Sequence, residues 1–198
     1  MSIFKSKWII LKIDKVTWNN SNKEYSQDKI KWWEFLYTVF TKEYWKIKCN
    51  KRLSKHEKTL DLWYIINFEI TTKENASIHK INNIKILSEF SHENKNFREI
   101  NSYLIILAKA LHKTPHGSPI YELFDLLELV TNLKNIDETK LILSKLKIIS
   151  IFWELNENHD NETISKILKF INANKIESIL KLTWISEELK IKLNTIDF

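Results

Sequence analysis

A chain of 198 residues that holds one glycine, Gly117, has almost no residue that can place its backbone at positive φ without steric cost, yet it must turn often enough to fold. Globular proteins carry about 7% glycine, so roughly fourteen would be expected at this length. Two arginines, Arg52 and Arg98, among 31 basic residues, together with many isoleucines and asparagines, point to an AT-rich gene. Such a gene depresses glycine, but it should depress tryptophan as well, and the chain has eight tryptophans. Their excess needs its own cause.

Position supplies one. Trp18 lies in Thr17-Trp18-Asn19-Asn20-Ser21-Asn22, among turn formers, where glycine is at ease and a bulky indole is not. Trp45 and Trp63 fall at apparent strand starts or turns, and Trp153 and Trp184 follow helical runs where a C-terminal cap favours glycine. The expectation is that UGA codons meaning glycine in the source are read as tryptophan. The competing reading is a tryptophan-rich protein whose indoles are core, or platforms for nucleic-acid bases. UGG codons at the eight positions would end the first reading.

With 43% hydrophobic residues in 23.8 kDa, the chain can build real cores in one large domain or two small ones. The first apolar run, Trp8 to Leu11, is too short for a signal-peptide core, and no stretch approaches the roughly twenty apolar residues of a membrane span. A cytoplasmic protein is expected, with no membrane partner. The single cysteine, Cys49, allows no intramolecular disulfide and rules out a multi-cysteine zinc cluster. Of six histidines only His112 and His116 approach metal-ligand spacing, and Pro115 interrupts them, so no metal or other cofactor is expected.

The first half reads as strands. Alternating apolar residues from Trp8 to Val16, then runs at Glu34 to Thr41, Tyr44 to Cys49, Leu62 to Thr71 and Ser77 to Leu87, give five strands in about ninety residues, which fit a small barrel. Near Glu93 the period changes. Phe97, Ile100, Tyr103, Leu104, Leu107 and Leu111 recur at three and four, as on an amphipathic helix. A break at 114–119 follows, with Pro119 placed to start a helix through Leu133. Asp137 opens a third helix with Leu141, Ile142, Leu146, Ile149 and Phe152 inward, and shorter helices are expected at Glu162 to Ile171, Ile176 to Leu182 and Ser186 to Leu193.

The order of elements meets a family. Phe35-Leu36-Tyr37-Thr38-Val39-Phe40-Thr41-Lys42-Glu43-Tyr44-Trp45-Lys46-Ile47 resembles the strand-turn-strand segment of the bacterial recombination mediator RecO, with Trp45 where that family has glycine. Lys51-Arg52-Leu53-Ser54-Lys55 looks like the family's basic loop, Asp61 to Ile70 and Ile78 to Leu87 like its last two barrel strands, and Tyr103-Leu104 onward like its helical domain. The likeness spans residues 7 to 155 in order and spacing, and the last forty residues match only loosely. The four-cysteine zinc site of many relatives is absent, and the chain ends short of the family's usual length. The fold class implied is α+β, an OB-type five-stranded β-barrel over residues 1–90 followed by an all-α helical bundle over 91–198. The function implied is non-enzymatic: a mediator of recombinational repair that binds single- and double-stranded DNA, anneals strands, contacts the tail of single-stranded DNA-binding protein, and with RecR helps load RecA.

Charge supports a polyanion partner independently. The net charge is +6, and between Lys42 and Lys58 seven basic residues face two acidic ones. Lys42, Lys46, Lys48, Lys51, Arg52, Lys55 and Lys58 are the expected DNA face, holding phosphates without sequence specificity, because lysine is a point charge and not a bidentate reader of base edges. A merely solvated lysine-rich strand and loop is the competing reading. Tyr37, Tyr44 and Tyr64 are stacking candidates that core burial would remove. Lys109 and Lys113, one turn apart, are the weaker candidates for the acidic partner tail, against ordinary surface lysines. Two other functions remain open, a protein-interaction adaptor whose basic barrel is incidental, and a metal-dependent nuclease using Glu122, Asp125, Glu128 and Asp137-Glu138, which solvated helix surface explains better. No phosphate-cradling glycine loop is present, even with glycine restored at every tryptophan.

Overall fold

The structure, a computed structural model, describes residues 2–16, 32–42, 45–54, 56–72, 77–89, 95–114 and 120–196. The chain divides into two compact units, Met1–Phe90 with Pro115–Tyr121, and Ser91–Thr114 with Glu122–Phe198. It is α+β, with a five-stranded sheet in the first unit and, among the described residues, six helices after it. None of these helices is long and apolar enough to cross a membrane.

The sheet closes into a ring in the order β1-β2-β3-β5-β4. Strand β1 (Ser2–Lys15) starts well before the alternation that begins at Trp8, because it serves two neighbours in turn. Its first part pairs with β4 (Ile65–Thr72) from Ser2↔Thr72 to Ile9↔Ile65, and its second with β2 (Trp32–Thr41) from Trp8↔Thr41 to Lys15↔Phe35, with a register shift between Ile10 and Lys12. Trp8 takes part in both ladders, is fully buried, and stacks on Phe68 with ring centroids 4.6 Å apart. Strand β3 (Trp45–Ser54) pairs antiparallel with β2 along its whole length, and its parallel seam with β5 (His79–Ser88) has two register pairs, Cys49↔His79 and Asn50↔Lys80. The Lys51–Ser54 segment, expected as a loop, is therefore strand; its cross-strand partners on β2 hold it extended.

The helical unit follows its sequence pattern closely. Helix α1 (Phe97–Lys113) starts at a capping box, Asn96 accepting from the Glu99 amide while the Glu99 carboxylate accepts from the Asn96 amide. Its buried face is Tyr103, Ile106, Leu107 and Ala110. Phe97 and Leu104, expected inward, are exposed, Phe97 at 85%, because the buried stripe is set by Ile106 and Ala110, which the three-and-four count passed over. Helix α2 (Tyr121–Thr131) buries Leu123, Phe124, Leu126, Leu127 and Val130. Asp137 caps α3 (Glu138–Ile151), accepting from the Lys140 amide at 2.8 Å, and Asn161 caps α4 (Glu162–Ala173), whose Ile164, Ile167, Leu168 and Ile171 are each buried for roughly 1.5–3 kcal/mol. Helix α5 (Ile176–Ile179) stops three residues before the expected Leu182, and Ser186 caps α6 (Glu187–Asn194).

One buried cation ties three of these helices together. Lys147 of α3 is 2% exposed; its ammonium lies 2.7 Å from the Glu122 carboxylate of α2 and donates at 3.2 Å to the Ile171 carbonyl in the last turn of α4. That carbonyl is one of the four a helix leaves without an intrahelical donor.

Three described residues other than glycine adopt positive φ, and two are tryptophans: Trp63 (φ 65°), Asn83 (φ 51°) and Trp153 (φ 60°). Asn83 is the extra residue of a bulge in β5 opposite β4, and asparagine tolerates that region; its amide donates to Glu69 at 2.7 Å. Trp153 follows the last turn of α3, donating to the Ser150 carbonyl, while the Glu154 amide donates to Ile149. These are the two bonds of a Schellman motif, with tryptophan at the position that glycine usually fills. Trp63 is third of four in the turn Asp61–Tyr64, closed by the Tyr64 amide on the Asp61 carbonyl at 3.3 Å, a position where positive φ again calls for glycine. The expectation for Trp153 is borne out in its backbone. That for Trp184 is not, since Trp184 lies past α5 without positive φ; Trp18 is outside the described residues.

Candidate nucleic-acid interface

Alternation along β3 divides the expected basic cluster between the two sides of the sheet. Lys46, Lys48, Asn50 and Arg52 share one side, Ile47, Cys49, Lys51 and Leu53 the other, because successive side chains of a strand point to opposite faces. The buried residues Cys49 and Leu53 mark the second as the inner side. Lys51 therefore does not join Lys48 and Arg52.

On the outer side each cation has a different environment. Lys46 is buried opposite Phe40, and burial first, then the neighbouring Lys48 charge, lowers its pKa. Lys48 is exposed. Arg52 stands opposite Glu34, whose carboxylate accepts from the Asn50 side-chain amide at 3.0 Å and lies 3.5 Å from the guanidinium. That acid tethers Arg52 and offsets its charge. The parallel seam adds a residue that the sequence did not bring forward: Lys80 pairs with Asn50, so it sits on the same side, exposed, between Lys48 and Arg52 in register. Only the pairing of β3 with β5 reveals it, since thirty residues separate the two partners.

The remaining candidates are dispersed. Lys42 is half-buried in the turn after β2, and Lys55 is outside the described residues. Lys58 donates to both oxygens of Glu89 at 2.6 Å, which raises its pKa. Tyr37 is fully buried and burial pushes its hydroxyl up to about 12; Tyr64 is buried too, and Tyr44 is outside the described residues, so none of the three is placed to stack a base. In the helical unit Lys113 is paired with Glu154, a carboxylate of its own chain, and Lys109 is half-buried on the same helix. Glu122 is engaged by Lys147 and Asp137 by the α3 cap; among the described residues no three His, Cys, Asp or Glu side chains gather as a metal site would require. His112 is exposed at the end of α1, and His116 is outside the described residues.

Cys49 is buried on the inner side, and burial pushes its thiol up to about 12. Below that pH it stays protonated, and a thiol-specific reagent should label it only at the rate of unfolding. Labelling of the folded chain as fast as a free thiol would contradict its burial. Compared with known protein families and with curated proteins, the chain matches no family model and no curated protein.

Proposed function

We propose that this chain is a sequence-independent DNA-binding protein of the RecO type, an OB-fold with a helical domain, acting without catalysis to hold and anneal strands. The observation that carries the reading is the outward cluster of Lys48, Arg52 and Lys80 where β3 meets β5. The ring order β1-β2-β3-β5-β4 with a parallel seam between β3 and β5 agrees with an OB-fold, a framework that serves oligonucleotide binding. Lysines on a strand face meet phosphates by releasing condensed counterions, which makes binding steep in salt and indifferent to sequence. Contacts with the tail of single-stranded DNA-binding protein, with RecR, and help in loading RecA belong to the same proposal and rest on the resemblance.

Labelled oligonucleotides in EDTA test it. The protein is expected to retain both single strands and duplex, to accelerate pairing of complementary strands, and to leave them uncut. Replacing Lys48 and Lys80 together by alanine should make the slope of log affinity against log salt shallower by about 1.4 on single strands, about 0.7 for each phosphate that is no longer neutralised. An unchanged slope would remove this face from the binding site. Retention that needs divalent metal and shortens the strand would favour a nuclease instead.

A further inference from the structure

The inner side of β1, β2 and β3 carries a second grouping. In the ladders of β1 with β2 and of β2 with β3, Lys15, Phe35 and Lys51 are direct cross-strand partners, so they form one row on one face. Directly opposed side chains in such ladders stand roughly 4.5–5.5 Å apart at Cβ, which sets the Phe35 side chain between those of two lysines. Phe35 and Lys51 are half-buried and Lys15 is exposed. The row lies beyond the two residue pairs at which β3 meets β5, on the part of β3 that extends past them to Ser54. Its lower neighbour is Tyr37, with ring centroids 6.0 Å from Phe35, which buttresses the ring from below. Its upper neighbour is Trp33, over whose ring the Lys15 ammonium sits at 3.4 Å.

Phe35 lies between the buried Tyr37 and Cys49 on one side and the buried Leu53 on the other, yet is itself only half-buried, so part of its ring stays open to solvent. Two lysines flanking an aromatic suit a ligand that alternates flat apolar groups with negative charges. A nucleic acid with unpaired bases has that alternation; a duplex keeps its base faces stacked inside. We propose that Lys15, Phe35 and Lys51 form a base-stacking position that selects single strands, with Phe35 against a base and the lysines on the adjoining phosphates. The proposal rests on the nucleic-acid reading above and adds to it a preference and a residue. It hangs on Phe35, which no reassigned codon touches.

The test compares an oligothymidylate with a strand of equal length that has the same sugar-phosphate backbone but no bases. The unsubstituted protein should bind the thymidylate about 5- to 100-fold more tightly than the abasic strand at one salt concentration, as one stacked base provides. Phe35→Leu should erase that ratio, Phe35→Tyr should keep it, and Lys15→Ala with Lys51→Ala should weaken both strands equally. Photo-crosslinking of a halogenated pyrimidine strand to the unsubstituted protein should give an adduct on the peptide bearing Phe35, a readout that no folding defect can mimic. Equal affinity for the two strands, an unaltered ratio in Phe35→Leu, or adducts only elsewhere would overturn the stacking position while leaving phosphate binding intact. Failure of the unsubstituted protein to hold any oligonucleotide would instead overturn the nucleic-acid reading itself.

Discussion

Glu122→Ala lowers the stability of the helical unit by about 3 kcal/mol, whereas Lys147→Met lowers it by less than about 1 kcal/mol. The asymmetry comes from what each change leaves behind. Without Glu122 the Lys147 ammonium, 2% exposed, keeps the Ile171 carbonyl as its one partner among the described residues, and a buried charge with one neutral acceptor is poorly compensated. Without the ammonium the Glu122 carboxylate, half in solvent, hydrates, and a methionine stem of similar length fills the space. Partial exposure of Glu122 admits some water, which holds the first cost below the upper end of the range for a broken buried pair. Chemical denaturation of the two variants, read in the helical signal, checks the order. Equal losses would mean that removing Glu122 leaves no uncompensated buried charge on Lys147.

Trp153→Gly raises stability by about 1 kcal/mol, a gain of roughly 2–4 °C in melting temperature for a chain of this size. Holding a bulky residue at φ 60° costs about 1–2 kcal/mol, and the indole recovers nothing in contacts because Trp153 is 96% exposed. Glycine removes that cost and returns part of the gain as extra freedom of the unfolded chain, roughly 0.4–1 kcal/mol. Trp153→Ala keeps a Cβ and so keeps the strain; its stability should match that of the unsubstituted chain. Trp63 has the opposite sign. Its indole is 1% exposed, and losing a packed aromatic costs about 3–5 kcal/mol, more than the relief of the turn. Gain from alanine equal to gain from glycine would show that backbone strain at 153 is not the cause. Codons of UGG at 63 and 153 would end the reading of both as glycine positions in the source.

Much of the fold was legible because local chemistry agreed with global placement. Asp137, Ser186 and the residue period near Glu93 fixed helix starts and the change from strand to helix, and each holds in the structure. The inward face of α1 differs from the expectation at Phe97 and Leu104, since counting large apolar residues undervalues Ala110, a small residue that is fully buried. The charge cluster was legible as composition but not as a surface. Sequence adjacency put Lys51 beside Arg52, and the pleat turns them to opposite sides; Lys80 joins Lys48 only through a pairing between segments thirty residues apart. Glu34, which restrains Arg52, is likewise visible only through register.

The two-residue seam between β3 and β5 has a consequence in time. Hairpin partners meet early, whereas this seam joins segments distant in sequence, and loop closure must be met before its few bonds form. With two register pairs against eight between β1 and β4, it is the stitch expected to part first. Lys48 and Lys80 are neighbours only while it is closed, so a bound polyanion would hold the ring shut by mass action, and an unfinished ring would leave the two lysines apart.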